Sequence, residues 1–336
     1  MEYIDPNFSI VPTELSNKFL SLKAYLKEQD REGNVLLLYR GEQQQNIHQR
    51  LFAGATCRRD ELPYDRVFYF GEKARHFSID NFNPEERNYL RHINDCSDAT
   101  FTFIFERIAN VLTTPRNKSR IYQNTSIAFR DFFLNRYNLN RFLSKANSAY
   151  TPETKLKLRD YYLYFLHGAG QEGVRDETIL VSTSTNSQVA RRFAGYRSRN
   201  SREENNITRL RFHYFIPKPF HNFAVSPWII GHHLCIVEAL QLPTFRVHGL
   251  YPNQQEVAVK GALFPHYILG VDLIGERRFI INPNIAHISE QDFFSVSTNG
   301  IPVDQSDFNS TIFDTGYKRW GETDGEGNFQ QFEIER

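Results

Sequence analysis

Three short segments of the chain carry side chains of the kinds that catalysis uses, each beside a run of apolar residues. Arg40 follows the first run, and the hydroxyl run Ser182–Ser184 follows the second and precedes a short helical pattern. Gln254 and Glu256 stand where a turn enters a third run, and we expect them to share a face because residues two apart on a strand do so. An arginine fork suits phosphate, and a carboxylate can stabilise positive charge that develops during a reaction.

Each segment taken alone also has an ordinary structural interpretation. An arginine at the end of a strand is commonly solvated or structural. Hydroxyl groups between a strand and a helix commonly cap the free N–H groups of that helix. Two polar residues at the start of a strand can form an exposed edge. The chemistry is therefore indicated by the three segments together and in this order.

In this order and context the segments resemble the Arg, Ser-Thr-Ser, Glu class of ADP-ribosyltransferases, which is the toxin-like branch of that family. The supporting details are the glycine after Arg40, the Ala-x-x-Phe helix after the hydroxyl run, and the apolar strand with a glycine after Glu256. The resemblance covers residues 35–75 and 177–281 and leaves the helical block between them unmatched. It implies a toxin that cleaves NAD⁺ as a co-substrate and transfers the ADP-ribose to a macromolecular acceptor.

The resemblance implies a catalytic role for three residues: Glu256, Ser182 and Gln254, of which Gln254 also contacts the acceptor. Cleavage of the nicotinamide–ribose bond creates an oxocarbenium-like transition state with positive charge on the ribose. The Glu256 carboxylate would lie beside that charge and would stabilise the transition state more than the ground state. Ser182 would hold the carboxylate in place.

Four further residues are implied to bind the co-substrate. Arg40 would bind the pyrophosphate through its planar fork of donors. Gly41, which has no side chain to clash, would let the backbone approach the nicotinamide amide. Thr183 and Ser184 would shape the pocket rather than react.

Gln254 bears on the identity of the acceptor. In the family a glutamate two residues before the catalytic one accompanies arginine modification, and glutamine there accompanies modification of asparagine-like side chains or nucleic-acid bases. Gln254 carries no charge and can hydrogen-bond an amide or a base edge. The resemblance therefore argues against arginine and leaves RNA or DNA bases, slightly favoured, and protein Asn or Gln. Tyr251 could stack on an acceptor base or pack in the core.

Five arginines follow the hydroxyl run, and they have two interpretations. They could bind phosphates of NAD⁺ or of a nucleic-acid backbone, or they could line a solvated loop balanced by neighbouring glutamates. These are Arg191, Arg192, Arg197, Arg199 and Arg202.

The composition is that of an ordinary folded protein. The 336 residues are 40% hydrophobic and 24% charged, enough for one large domain, and a net charge of +1 does not indicate nucleic-acid binding by itself. The three cysteines lie far apart and the eleven histidines lack metal-ligand spacing, so we expect no disulfide framework and no metal. The N-terminus lacks an apolar signal core and no apolar run is long enough to span a bilayer. We therefore expect a soluble, cytoplasmic protein without a membrane partner.

The periodicity predicts an α+β fold in which a strand, a helical block and a further run of strands follow one another. The resemblance adds a mixed β core of two packed sheets. We assign residues 1–281 to the catalytic domain, with a helical insertion at about 84–170, and residues 282–336 to an irregular C-terminal extension. Helices are predicted over 15–26, 101–112, 127–136 and 153–166, and strands over 35–39, 64–70, 178–182, 208–216, 256–260, 267–273 and 278–281.

Two other functions remain open from the sequence. An NAD⁺ glycohydrolase would pass the ribose to water, and it would consume NAD⁺ without an acceptor. A module with the same fold could be kept for binding alone, although the arginine, the hydroxyl run and the glutamate are all present. A free enzyme of this kind would damage its own host, so an inhibitory protein partner is also expected.

Overall fold

The computed structural model describes residues 1–51, 68, 72–73, 95–114, 118–169, 178–195, 207–250, 253–263 and 267–287. In chain order the strands are β1 Glu2–Ile4, β2 Val35–Gln43, β3 Glu72–Lys73, β4 Leu180–Ser184, β5 Arg209–Pro217, β6 Ala224–Val225, β7 Glu256–Lys260, β8 Ala262–Leu263, β9 Ile268–Leu273 and β10 Arg278–Ile281. The helices are α1 Thr13–Arg31, α2 Gln44–Leu51, α3 Asp98–Thr113, α4 Lys118–Asn124, α5 Ile127–Leu134, α6 Leu139–Asn147, α7 Pro152–Ala169, α8 Ser187–Phe193, α9 Pro227–Ala239 and α10 Asn284–His287.

Eight of the strands form one mixed sheet in the order β1-β10-β9-β5-β2-β4-β7-β6. Neighbours are antiparallel except β1 and β10, which are parallel. Strands β3 and β8 form a separate antiparallel pair. The α+β class predicted from the sequence is therefore confirmed, with the described strands gathered into one large sheet and one short pair.

The helical block consists of α3 to α7 and is held together by aromatic side chains. The rings of Phe105, Phe133 and Phe142 lie within 5.3–5.8 Å of one another, in tilted or edge-on arrangements. Such geometries suit the quadrupole of aromatic rings and add to the stabilisation that burial alone gives. Ser97 caps α3 and Ser126 caps α5, each accepting a hydrogen bond from a backbone N–H in the first turn.

Helix α7 is the most deeply buried element of the block and connects it to the sheet. Every residue from Leu158 to Ala169 is buried, including Arg159 and Asp160. The Asp160 carboxylate lies 2.5 Å from Lys260 Nζ on β7 and 2.6 Å from the Arg159 guanidinium. Because an unpaired charge in the interior is very costly, these ion pairs fix the position of α7 along β7.

The strands predicted from apolar runs agree with the structure to within a few residues, with two qualifications. Strand β2 continues to Gln43, so Arg40 lies inside the strand rather than at its end. Of the predicted strand over 64–70 only Phe68 is described; its backbone is helical and its side chain is buried.

The core extends slightly beyond the predicted domain boundary at residue 281. Asn282 is fully buried and donates a hydrogen bond through Nδ2 to the Ile268 carbonyl, and Ile285 is buried as well. The rest of the predicted extension, from 288 onward, lies outside the described residues. In the described part of the chain no helix combines the length and the apolar character that crossing a membrane requires.

Candidate active site

Three adjacent strands bring the three sequence motifs together. Strand β2 carries Arg40, β4 carries the hydroxyl run, and β7 begins at Glu256; they are neighbours in the order β2-β4-β7. Ser184 pairs with Glu256 on one side and with Tyr39 on the other. Tyr39 and Ser184 are 145 positions apart in the chain, and Ser184 and Glu256 are 72 apart. The register of the sheet therefore brings the three motifs together.

The Glu256 carboxylate is buried and incompletely hydrogen-bonded. Its side chain is 2% exposed, and Oε1 accepts no hydrogen bond from any residue that the structure describes. Burying a charged oxygen without such a partner costs free energy, and the cost is recovered only when a donor reaches it. The carboxylate can therefore accept a further hydrogen bond at Oε1.

His167, which the sequence analysis missed, lies beside this carboxylate. It lies at the C-terminal end of α7, with Nε2 3.7 Å from Glu256 Oε1 and 2.9 Å from Ser182 Oγ. Its Nδ1 atom lies 2.9 Å from Thr178 Oγ1. The one signal in the sequence is a polar residue that interrupts the apolar end of a helix, and this pattern is too common to indicate a site.

Arg40 reaches the hydroxyl strand through its guanidinium. Nη1 donates a 2.7 Å hydrogen bond to the Ser182 carbonyl, and Nη2 lies 2.9 Å from Glu42 Oε2. Ser182 thus accepts from Arg40 through its backbone and contacts His167 through its side chain. The imidazole of His167 lies beside both Ser182 and Glu256, and no direct hydrogen bond joins these two side chains within the described residues.

The other two hydroxyl groups of the run bind the backbone of the segment that carries Glu256. Ser184 Oγ donates to the Gln254 carbonyl at 2.7 Å and accepts from the Asn186 N–H at 3.0 Å. Thr183 Oγ1 donates to the Val257 carbonyl. Thr183 alternates with Ser182 and Ser184 and so projects to the other face of the sheet.

Helix capping, the ordinary interpretation of the hydroxyl run, belongs to the next polar residue. Asn186 is the N-cap of α8, and its side chain accepts a hydrogen bond from the Gln188 N–H at 2.9 Å. The serine hydroxyl groups are therefore not used for capping, and they remain at the junction of β4 and β7.

Gln254 lies in the turn before β7 rather than on the strand itself. Both Asn253 and Gln255 have positive φ angles, of 62° and 47°, so the alternation of faces expected on a strand does not apply between Gln254 and Glu256. Gln254 Oε1 is nevertheless buried and accepts no hydrogen bond within the described ranges. Tyr251, the other predicted acceptor contact, lies outside the described residues.

Gly41 has a packing role that the sequence analysis did not foresee. A Cβ atom at this position would lie 1.6 Å from the Ala190 carbonyl oxygen and 2.9 Å from the Ala194 nitrogen. The missing side chain therefore makes room for α8 against β2. This packing against α8 is a requirement for glycine at position 41 that the geometry contains.

Of the five arginines, only those on α8 are described: Arg191 is half-buried and Arg192 is exposed. Arg197, Arg199 and Arg202 lie outside the described residues. Where the chain is described, no three His, Cys, Asp or Glu side chains are grouped so that they could hold a metal ion.

Comparisons with protein-family models, with curated proteins and with solved structures found no match to this chain.

Proposed function

We propose that the chain cleaves NAD⁺ and transfers its ADP-ribose to a macromolecular acceptor, with the fold of an ADP-ribosyltransferase whose core is two packed sheets. The observation that carries the proposal is the Glu256 carboxylate: it is buried, one oxygen awaits a donor, and it lies one strand from the hydroxyl run and two from Arg40. An unsatisfied buried acceptor at the meeting point of three polar motifs is best explained by a ligand that supplies the donor.

The residues would divide the reaction as follows. The bond between nicotinamide and the ribose carbon breaks, and its electron pair leaves with nicotinamide. The Glu256 carboxylate accepts a hydrogen bond from a ribose hydroxyl and stabilises the positive charge that develops on the sugar. The acceptor supplies the new electron pair to the ribose carbon and loses a proton. Arg40, held against Ser182, offers charge-assisted hydrogen bonds to the pyrophosphate.

The buried Oε1 of Gln254 supports an acceptor that donates a hydrogen bond. An amide oxygen can only accept, so its partner must present an N–H or O–H group. A nucleic-acid base with an amino group and the side-chain amide of Asn or Gln both meet this condition. We favour the base, and the test below separates the two.

The test is to add labelled NAD⁺ to a lysate with the purified protein, and then to digest the labelled material with nuclease or with protease. Loss of label under nuclease identifies nucleic acid, and loss under protease identifies protein. Rapid consumption of NAD⁺ alone, without any acceptor, would identify a glycohydrolase instead. An absence of both labelling and nicotinamide release would refute the proposal.

Glu256→Gln is the decisive variant, with Glu238→Gln at an exposed position of α9 as the matched control. Loss of one well-placed electrostatic group costs about 10² to 10³ in rate, and we expect this loss for Glu256→Gln only. The melting temperature of Glu256→Gln should not fall, because the substitution removes a buried charge. Retention of more than about a tenth of the wild-type turnover would remove Glu256 from the catalytic role.

A further inference from the structure

The C-terminal end of α7 places His167 where it can control the geometry of the carboxylate. Its side chain is 2% exposed, and its two ring nitrogens face different partners. Nδ1 is 2.9 Å from the Thr178 hydroxyl, and Nε2 is 2.9 Å from the Ser182 hydroxyl and 3.7 Å from Glu256 Oε1. A buried ring with contacts on both nitrogens has little freedom to rotate.

The helix that carries His167 is itself fixed on the strand that carries Glu256. Asp160 and His167 are seven residues apart, which is about two helical turns, so they lie on the same side of α7. Glu256 and Lys260 are four apart on β7 and share a face. The helix and the strand therefore meet at two points, Asp160 with Lys260 and His167 with Glu256.

The contacts also favour one distribution of protons on the ring. An ionised carboxylate only accepts, so an N–H at Nε2 is electrostatically favoured beside Glu256. The Nε2 proton then binds Ser182 Oγ, and Nδ1 accepts from the Thr178 hydroxyl. The distance of 3.7 Å between Nε2 and Oε1 is too long for a hydrogen bond. The ring dipole therefore attracts the carboxylate electrostatically, and Oε1 can still accept a hydrogen bond from another group.

We infer that His167 is a positioning residue, which through Nε2 holds Ser182 and the Glu256 carboxylate in the orientation that the reaction needs while leaving Oε1 open to the substrate. The inference rests on the proposed function and adds a residue to it. It also gives the helical block a part in the reaction, because α7 supplies this residue from outside the three motifs.

Two variants that differ by one methylene group, and therefore in how far the same amide reaches, test the inference. In His167→Gln the amide reaches the position of Nε2, whereas in His167→Asn it reaches only the position of Nδ1. We expect His167→Gln to keep most of the kcat for nicotinamide release. We expect His167→Asn to lose about tenfold in kcat, with a KM for NAD⁺ and a melting temperature close to those of His167→Gln.

Any other ranking overturns the inference. Equal kcat values in the two variants would mean that the Nε2 contact is not used. If His167→Asn lost kcat and also melted at a lower temperature than His167→Gln, the loss of activity would reflect packing, and His167 would not be a positioning residue.

A second pair of variants, at Thr178, changes the contact at the other ring nitrogen. It keeps the inference testable if a His167 variant does not fold. Thr178 faces the Nδ1 side of the ring, whereas Glu256 lies nearest to Nε2, so this pair tests the imidazole from the side away from the carboxylate. Thr178→Ser keeps the hydroxyl that faces Nδ1 and should keep kcat, whereas Thr178→Val should lower kcat several-fold at unchanged KM. Equal kcat in this pair would also contradict the inference.

The wild-type protein and Glu256→Gln separate failure of this inference from failure of the proposed function. If wild type releases no nicotinamide, the proposed function fails. If wild type is active, Glu256→Gln is inactive and the His167 pair does not differ, the inference alone fails.

Discussion

Glu256 and Gln254 each bury one acceptor oxygen that receives no hydrogen bond from the described part of the chain. Such an atom costs about 1 to 3 kcal/mol of folding free energy. Several other buried polar atoms share this property, but these two stand two residues apart at the junction of three motifs. A folded chain tolerates such costs mainly where a ligand removes them, so the pair indicates a binding site more strongly than either residue alone.

Gln254→Ala is expected to separate cleavage of NAD⁺ from transfer. Under the proposed function, the variant should bind NAD⁺ and release nicotinamide slowly, as is expected of wild type without an acceptor, but transfer should fall about tenfold to a hundredfold. Its stability should not decrease, because the substitution removes an unsatisfied acceptor. Nicotinamide release and labelled acceptor should be measured on the same preparation. A parallel loss of both would assign Gln254 to support of the carboxylate, and no loss of either would contradict its role at the acceptor.

Arg40→Lys is expected to weaken NAD⁺ binding by about tenfold or more. The guanidinium contacts the Ser182 carbonyl and Glu42 with two different nitrogens, whereas an ammonium is a point charge that cannot reproduce this planar fork. Calorimetric titration of the two proteins with NAD⁺ measures the difference. Equal affinities would show that Arg40 serves the strands only.

Elements were predictable where local sequence determines them, as β7 illustrates. The predicted and observed bounds of that strand agree, because its alternating small and branched residues are buried throughout. Helix α8 was likewise expected directly after the hydroxyl run, and its asparagine cap confirms the junction. By contrast, the turn at Gln254 depends on positive φ angles at Asn253 and Gln255, and only the asparagine is of a type that commonly adopts them.

The contribution of α7 to the site could not be predicted because it is a tertiary effect. The helical block resembled no part of the family, and His167 lies 89 residues before Glu256 in the chain. Only the docking of α7 on β7 brings the two within 3.7 Å. Gly41 shows the same limitation, since its need for glycine comes from α8 rather than from its own backbone conformation.

Gly41→Ala is expected to destabilise the contact between β2 and α8. The new Cβ would overlap the backbone of Ala190, which cannot move aside as a flexible side chain can. Overpacking of this kind costs about 1 to 3 kcal/mol. Gly231→Ala on α9 is the matched control, because nothing lies within 4 Å of the added atom and alanine favours a helix by about 1 kcal/mol. In thermal unfolding, Gly231→Ala should be the most stable protein, wild type the next and Gly41→Ala the least stable. Equal stability of wild type and Gly41→Ala would contradict the packing role.

At the scale of the whole molecule, the helical block and the sheet are joined by the charged cluster of Arg159, Asp160 and Lys260. Burial raises the pKa of Asp160, but the neighbouring charges of Lys260 and Arg159 outweigh it and hold the pKa below its usual value. Burial lowers the pKa of the nearby His233 to about 3, so this histidine stays neutral beside the cluster near neutral pH. The contact between the helical block and the sheet therefore depends on buried charges, which stabilise the fold only when each of them is paired.

Asp160→Asn is expected to lower the free energy of unfolding by about 3 to 5 kcal/mol, because it leaves Lys260 and Arg159 buried without their carboxylate. Lys157→Ala on the same helix, which removes an ion pair between partly exposed side chains, should cost less than about 1 kcal/mol. The effect of Asp160 also has a defined pH dependence. Its pKa is lower in the folded protein than in the unfolded chain, so its contribution is complete above the unfolded value of about 3.9 and is lost as pH falls through the folded value.

Urea unfolding of wild type and Asp160→Asn between pH 7 and pH 3 measures this dependence. Both proteins should lose stability below about pH 6.5 as the unfolded chain protonates its histidines, since burial keeps His233 neutral in the fold. The difference between them should therefore stay constant from pH 7 to about pH 5 and should shrink below about pH 4, where Asp160 begins to protonate in the unfolded chain. A difference that is small at pH 7, or that grows as the pH falls, would show that the Asp160–Lys260 contact does not join the helical block to the sheet.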